Sequence, residues 1–210
     1  MDEELKNLIE KAEKGDIQAM VMVGDCYNRG IHTAKNDDKA QIYYKMAADK
    51  GNLAAAYMTA VGYWLGTGVK KDKSAATKYM QFAADKGFAT AQYMLGVLYS
   101  RGEIGLLFRE EKALYYLEKA SRQGHAKSQI ILGDMNIQND GAQYSLEKGL
   151  YWLVCAYLHG DNAKEESKEA MDRLNMLLKS GLPGGRKRID QMIASIKAGH
   201  PSYTKNPKSS

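Results

Sequence analysis

The five residues AADKG stand at Ala47–Gly51 and again at Ala83–Gly87. The flanks agree as well, YYKM with YMQF upstream and NLAAAYM with FATAQYM downstream. With Gly51 as position zero of a unit, equivalent glycines fall at Gly15, Gly51, Gly87, Gly124 and Gly160, spaced by 36, 36, 37 and 36 residues. A period in the thirties restricts a chain to architectures in which each repeat is one supersecondary unit that buries its apolar face only by stacking on the next.

The internal pattern of the unit says what that supersecondary unit is. Position four is small (Ala19, Ala55, Ala91, Ser128), and so is position nine (Gly24, Ala60, Gly96, Gly133). Position twelve holds Tyr27, Tyr63, Tyr99 and then Asn136. The second half runs through Ala40, Ala76, Ala113 and Gly149, then Tyr43, Tyr79, Tyr116 and Trp152, then Ala47, Ala83, Ala120 and Ala156, with one inserted residue in the third unit. Steps of three and four are the period of a helix face. Each unit therefore reads as two helices, helix A over positions 2–14 and helix B over about 22–35. The position-zero glycine supplies the left-handed residue that ends helix B, and Asn36, Asp72 and Ser145 stand where helix B needs an N-cap.

Composition agrees with this reading. Ala, Leu, Met and Tyr outweigh Val, Ile and Phe, a mix that favours helix over sheet. No apolar run approaches the roughly 20 residues that span a bilayer, so no membrane partner is expected. The start, MDEELKNLIEKAEKG, lacks the basic, apolar, small-residue order of a secretory signal, and a cytoplasmic location is expected. The formal charge of +5 belongs to residues 181–210, and the first 180 residues are neutral.

The pattern A-x3-LG-x2-Y-x2-G-x-GV-x2-D followed by A-x2-WY-x2-A-x3-G resembles the Sel-one-like repeat (SLR) family, relatives of the tetratricopeptide repeats. GFATAQYMLGVLY (Gly87–Tyr99) and GTGVKKD (Gly66–Asp72) carry it best. The resemblance implies an all-α, right-handed α/α superhelical solenoid. The expected organisation is one array over 1–198: an N-terminal capping helix at 2–14, repeats at 15–50, 51–86, 87–123 and 124–159, and capping helices over 160–198. Residues 199–210 are expected to be a disordered basic tail. The departures are Thr59-Ala60 for Leu-Gly, His32-Thr33 for Gly-Val, and Asn136 and Gly149 in the fourth unit, which are expected to weaken single helices and leave the architecture intact.

No HExxH, G-x-S-x-G, P-loop or Rossmann glycine set is present, and no catalytic, cofactor or metal residue is expected. Secreted members of the family carry paired cysteines, and some bind or hydrolyse β-lactams; this chain lacks those pairs. Cys26 and Cys155 lie three units apart, too far to bridge at a rise of about 10 Å per helix layer, and are expected to be free packed thiols. A β-lactam-directed enzyme and nucleic-acid binding through the basic C-terminus are the alternatives, and the neutral body argues against the second.

By analogy with the tetratricopeptide arrays, helix A lines a concave groove, and its positions six, ten, thirteen and fourteen touch a partner protein. This selects Tyr57, Val61, Trp64, Leu65, Tyr93 and Val97 as an apolar centre edged by Arg29, Arg101, Asp25 and Asp134, with Ile137 beside them. Tyr57 and Tyr93 also belong in part to the signature, so packing between helices is the competing role for them. An apolar loop, Ile104, Leu106, Leu107 and Phe108, is a second candidate surface. The function expected is non-catalytic protein binding, as a bacterial adaptor, regulator or toxin-neutralising immunity protein whose partner is a secreted toxin or a secretion or signalling component.

Overall fold

The computed structural model describes residues 2–103, 110–138, 145–158 and 164–199. All regular structure among them is helical: α1 (Glu3–Glu13), α2 (Ile17–Arg29), α3 (Asp37–Asp49), α4 (Leu53–Leu65), α5 (Lys73–Asp85), α6 (Ala89–Arg101), α7 (Glu110–Arg122), α8 (Ala126–Gln138), α9 (Leu146–Leu158), α10 (Lys164–Lys179) and α11 (Gly185–Lys197). This is an all-α repeat solenoid. Helix A spans positions 2–14 in every repeat, as read from the sequence, and helix B ends one residue short of its expected bound. Two compact units are present, Met1–Glu110 and Glu111–Ser210.

The helix starts follow from local chemistry. Asp16 and Asn52 each accept a hydrogen bond from the backbone N–H three residues on, at 3.0 and 2.9 Å. Asn36, Asp72 and Ser145 cap helix B in the same way. At the equivalent place before α8 stands His125, whose Nδ1 faces the Ser128 N–H at 3.4 Å and the Ser128 hydroxyl at 3.0 Å.

That cap titrates. Nδ1 accepts only when unprotonated, and burial, with Lys127 as a second cause, pushes His125 below its ordinary value. A base with a lowered folded-state pKa contributes stability that is complete above its unfolded value, about 6.5. The contribution is lost as pH falls toward the folded value. The melting temperature should therefore drop between about pH 7 and pH 5, and His125→Asn, a neutral cap, should flatten that slope. Parallel curves for the two proteins would show that His125 does not set it.

In the N-terminal unit successive helices pack in order from α1 to α6. Gly24 passes under the Tyr44 ring, where an added Cβ would lie 2.6 Å from a ring carbon. Tyr27 stacks on Tyr43 and Tyr63 on Tyr79, each pair with centroids 6.1 Å apart. The next residue along, position twenty-nine, is a buried helix-B column of large side chains: Tyr44 and Met80 here, Leu117 and Leu153 in the C-terminal unit. Buried Gln92 donates to the Ala84 carbonyl at 2.9 Å and buried Gln129 to Ser121 at 3.0 Å. Each adds a second donor to a carbonyl in the last turn of the preceding helix B, which also accepts from the N–H of Gly87 or Gly124.

In the C-terminal unit α9 packs on α8, α10 and α11 around Leu150, Leu153, Val154, Leu174, Ile189 and Met192. The Arg188 guanidinium reaches Glu147. The two departures of the fourth repeat are accommodated here. A Cβ on Gly149 would lie 2.5 Å from Ile137 and 2.9 Å from the Gly133 carbonyl, so glycine is what lets α8 and α9 approach. Asn136 is buried, donates to the Leu132 carbonyl at 2.8 Å, and accepts from Ser145 N at 3.4 Å. In the first two repeats the position-twelve tyrosine makes that link through its backbone carbonyl, to Asn36 N and Asp72 N.

Candidate functional site

Helix A decides what the N-terminal unit presents. On α2, α4 and α6 the buried residues fall at positions four, five, eight, nine, eleven and twelve. Positions three, seven, ten and fourteen occupy one arc of the helix opposite them. That arc carries Met22, Met58 and Met94 at position seven, Val61 and Val97 at ten, and Arg29, Leu65 and Arg101 at fourteen. Leu65 is 62% exposed and Met22 50%, while Met58, Met94, Val61 and Val97 are half-buried. An apolar strip with arginines at its edge is one surface this unit offers; on the helix-B side Ile42, Met46 and Phe82 are exposed.

The residues selected from sequence divide on this face. Leu65, Val61, Val97, Arg29 and Arg101 lie on it. Trp64 and Tyr57 flank it, at positions thirteen and six. Trp64 is half-buried with the Lys73 ammonium 5.8 Å from its ring centroid. Tyr57 packs on Phe88, the residue that precedes α6, at 5.7 Å between centroids, and burial, then Tyr93, pushes its phenol up. Tyr93 is half-buried. Asp25 accepts the Tyr44 hydroxyl at 2.7 Å, which ties α3 to α2. The methionine row was missed by the sequence reading, although its 36-residue recurrence outside the signature positions was a signal.

Asp134 and Ile137 belong to the C-terminal unit. Asp134 pairs with Arg173 of α10 at 3.1 Å, and Ile137 packs against the core. With Gln138, Leu153, Met176 and Leu177 they line a recess of about 200 Å³. The loop candidates Ile104, Leu106, Leu107 and Phe108 lie outside the described residues.

Among the described residues, Asp2, Glu4 and His32 are close enough to share a cation. His32 Nδ1 faces Asp2 at 2.6 Å and Nε2 faces Glu4 at 3.3 Å. Opposite ring nitrogens thus meet different carboxylates, and the His32 hydrogen bond holds the Asp2 carboxyl below its ordinary value. Neither cysteine is in a disulfide, and both are buried. Burial raises Cys26 and pushes Cys155 up to about 11, so both are protonated at neutral pH and poor nucleophiles. No described helix is long and apolar enough to cross a membrane.

The Sel1 repeat matches this chain four times, over residues 17–52, 53–88, 89–125 and 126–161. The chain belongs to the Sel1 repeat family. Proteins built of Sel1 repeats are typically protein-interaction modules and generally non-catalytic scaffolds. Comparison with curated proteins returned no match. Among solved structures, the Sel1 chain is similar to a protective antigen of uropathogenic Escherichia coli displaying an SLR fold, at 26% identity and a TM-score of 0.77. It is also similar to a Sel1 repeat protein from Oxalobacter formigenes, at 21% and 0.74, and to an immunity protein from Pseudomonas aeruginosa, at 20% and 0.53. Each likeness covers 93% of this chain, but only 41%, 55% and 72% of the respective neighbour. The chain thus spans about two fifths of the E. coli protein.

Proposed function

We propose that this protein is a non-catalytic binding module that holds a partner protein on the helix-A face of its N-terminal unit. The supporting observation is the apolar strip of Met22, Met58, Val61, Leu65, Met94 and Val97, recurring once per repeat. Leu65 and Met22 of this strip are largely exposed, and methionine suits a surface that must adapt to another. Trp64 flanks it as an aromatic anchor, and Arg29 and Arg101 supply polar edges of the kind interfaces favour. The reading covers an adaptor, a regulator or a toxin-neutralising immunity protein, and the identity of the partner decides among them. For the last of these the Pseudomonas aeruginosa neighbour offers a likeness of fold alone at its identity.

The test is a partner captured from native lysate, identified, purified and titrated. Leu65→Asp should weaken its binding by about tenfold or more, because a carboxylate would have to be desolvated at the interface, with the melting temperature unchanged since Leu65 is exposed. Trp64→Ala should weaken binding by a similar factor, with a small loss of stability that reflects its half-burial. Unchanged affinity in both variants would remove this face from the function.

A further inference from the structure

One feature sets the second repeat apart from the first. In the loop between helix A and helix B, the first repeat carries Lys35, whose ammonium lies 3.2 Å from Asp37, and α3 opens with Asp37 and Asp38. The second repeat carries Lys70 and Lys71 in the loop, and α5 opens with Lys73 where α3 has Asp37. The first turn of α5 has no acidic residue. Asp72, the one carboxylate of the loop, is engaged by the N–H groups of Ser74 and Ala75 at 2.9 and 3.0 Å. Lys70, Lys71 and Lys73 are exposed, and among the described residues Lys70 and Lys71 have no ion-pair partner. A lysine at the start of a helix also opposes the helix dipole. Among the described residues no ion pair holds any of the three, and Lys73 has the Trp64 ring beside it.

The lysines are gathered in a held shape. Gly68, with φ of +70°, lies against the backbone of Asp37 and Asp38 so closely that a Cβ would overlap it, which fixes the loop on α3. Tyr63, Val69 and the stretch Lys70–Lys73 line an open recess of about 620 Å³. Lys73 connects it to Trp64, and Leu65 stands exposed next in sequence. Cationic groups without counter-ions therefore border an aromatic and aliphatic platform.

We propose that the loop Gly66–Lys73, with Trp64 and Leu65, docks an acidic segment of a partner protein, one in which carboxylates flank an aromatic or aliphatic residue. Charge complementarity selects this occupant, the uncompensated lysines taking the carboxylates and the platform the apolar side chain. The first 180 residues sum to neutrality, so the positive charge is a local patch and lacks the extended stripe that tracks a nucleic-acid backbone. This inference rests on the protein-binding reading above and names the chemistry of its partner.

Fluorescence anisotropy can test it with a fluorescein-labelled peptide of glutamates around a central Trp-Leu pair, the same peptide with glutamine for glutamate, and an oligothymidylate. The glutamate peptide should bind the wild-type protein and release as salt rises toward about 0.5 M. The triple variant Lys70→Glu, Lys71→Glu, Lys73→Glu should bind it about tenfold or more weaker, and wild type should bind the glutamine peptide weaker by a similar factor. Glutamate suits the first turn of a helix, so this variant should keep its circular dichroism; Lys→Gln at the same three sites is the milder form. Equal binding of both peptides, binding unaffected by the lysine substitutions, absence of any peptide binding, or tighter binding of the oligothymidylate would each overturn the inference. None of these results touches the titration of the captured partner against Leu65→Asp, which fails only if the helix-A face itself is wrong.

Discussion

Gly68→Ala should destabilise the protein by about 3 kcal/mol or more, while Gly51→Ala should cost only about 1–2 kcal/mol. Both glycines hold a left-handed backbone, at φ of +70° and +94°, and both pay the same steric penalty for a side chain there. They differ in surroundings. A Cβ on Gly51 would meet nothing within 4 Å, whereas one on Gly68 would run into the carbonyl and following amide at Asp37 and Asp38. Backbone cannot rotate out of the way as a side chain can, so the loop or the start of α3 must move. Urea unfolding of the two variants measures the difference; equal midpoints would mean that the loop is not seated on α3. The same position in the first repeat is His32, a non-glycine residue at φ of +61°. There the loop meets the start of α1 through the Asp2 N–H, which donates to the His32 carbonyl at 3.3 Å, and through the imidazole, whose nitrogens face Asp2 and Glu4.

Leu153→Ala should cost about 2–5 kcal/mol. Leu153 is fully buried, belongs to the core of the C-terminal unit, and closes over Gly133, where an added Cβ would meet its Cδ2 at 2.7 Å. The pair predicts a sign as well as a size. Gly133→Ala alone should destabilise by about 1–3 kcal/mol through overpacking. In the Leu153→Ala background the new methyl enters vacated space, so the double variant should be more stable than the sum of the single effects implies. Strict additivity, read from thermal or urea unfolding, would show that α8 and α9 do not meet at this point.

The repeat made the helices legible because the same residue type returned at the same position: Gly15, Gly51, Gly87 and Gly124 mark the ends of helix B, and Asn36, Asp72 and Ser145 its starts. What did not recur as a type was hidden. Position twenty-nine is a buried column of helix B filled by large side chains, yet it reads Tyr44, Met80, Leu117 and Leu153, shapes that share only apolarity. Asn136 looked like a lost tyrosine, but its side chain makes the contact to Ser145 that the tyrosine backbone makes elsewhere. Gly149 looked like a weakened alanine, but it is the close approach of α8 and α9. Pairings between distant segments, Asp134 with Arg173 and His32 with Asp2 and Glu4, left no periodic trace at all. For the candidate site, the helix-A rows named Val61, Leu65, Val97, Trp64 and Tyr57, but exposure did not follow from the row alone: Leu65 is exposed, while the other four are half-buried. The lysines of the second loop were passed over as part of a family turn; their meaning appears only when Lys73 is set beside Asp37 and the missing counter-charge is seen.

The central claim is that the N-terminal unit's helix-A face binds the partner protein. Two exposed apolar residues separate it from its nearest competitor, the recess of the C-terminal unit: Leu65 at 62% exposure and Met176 at 61%. Isothermal titration of the captured partner against Leu65→Asp and Met176→Asp decides between them. The expected result is a loss of about tenfold or more for Leu65→Asp and wild-type affinity for Met176→Asp. The reverse pattern, with Met176→Asp impaired and Leu65→Asp intact, would contradict the claim and move the interface to the recess beside Arg173.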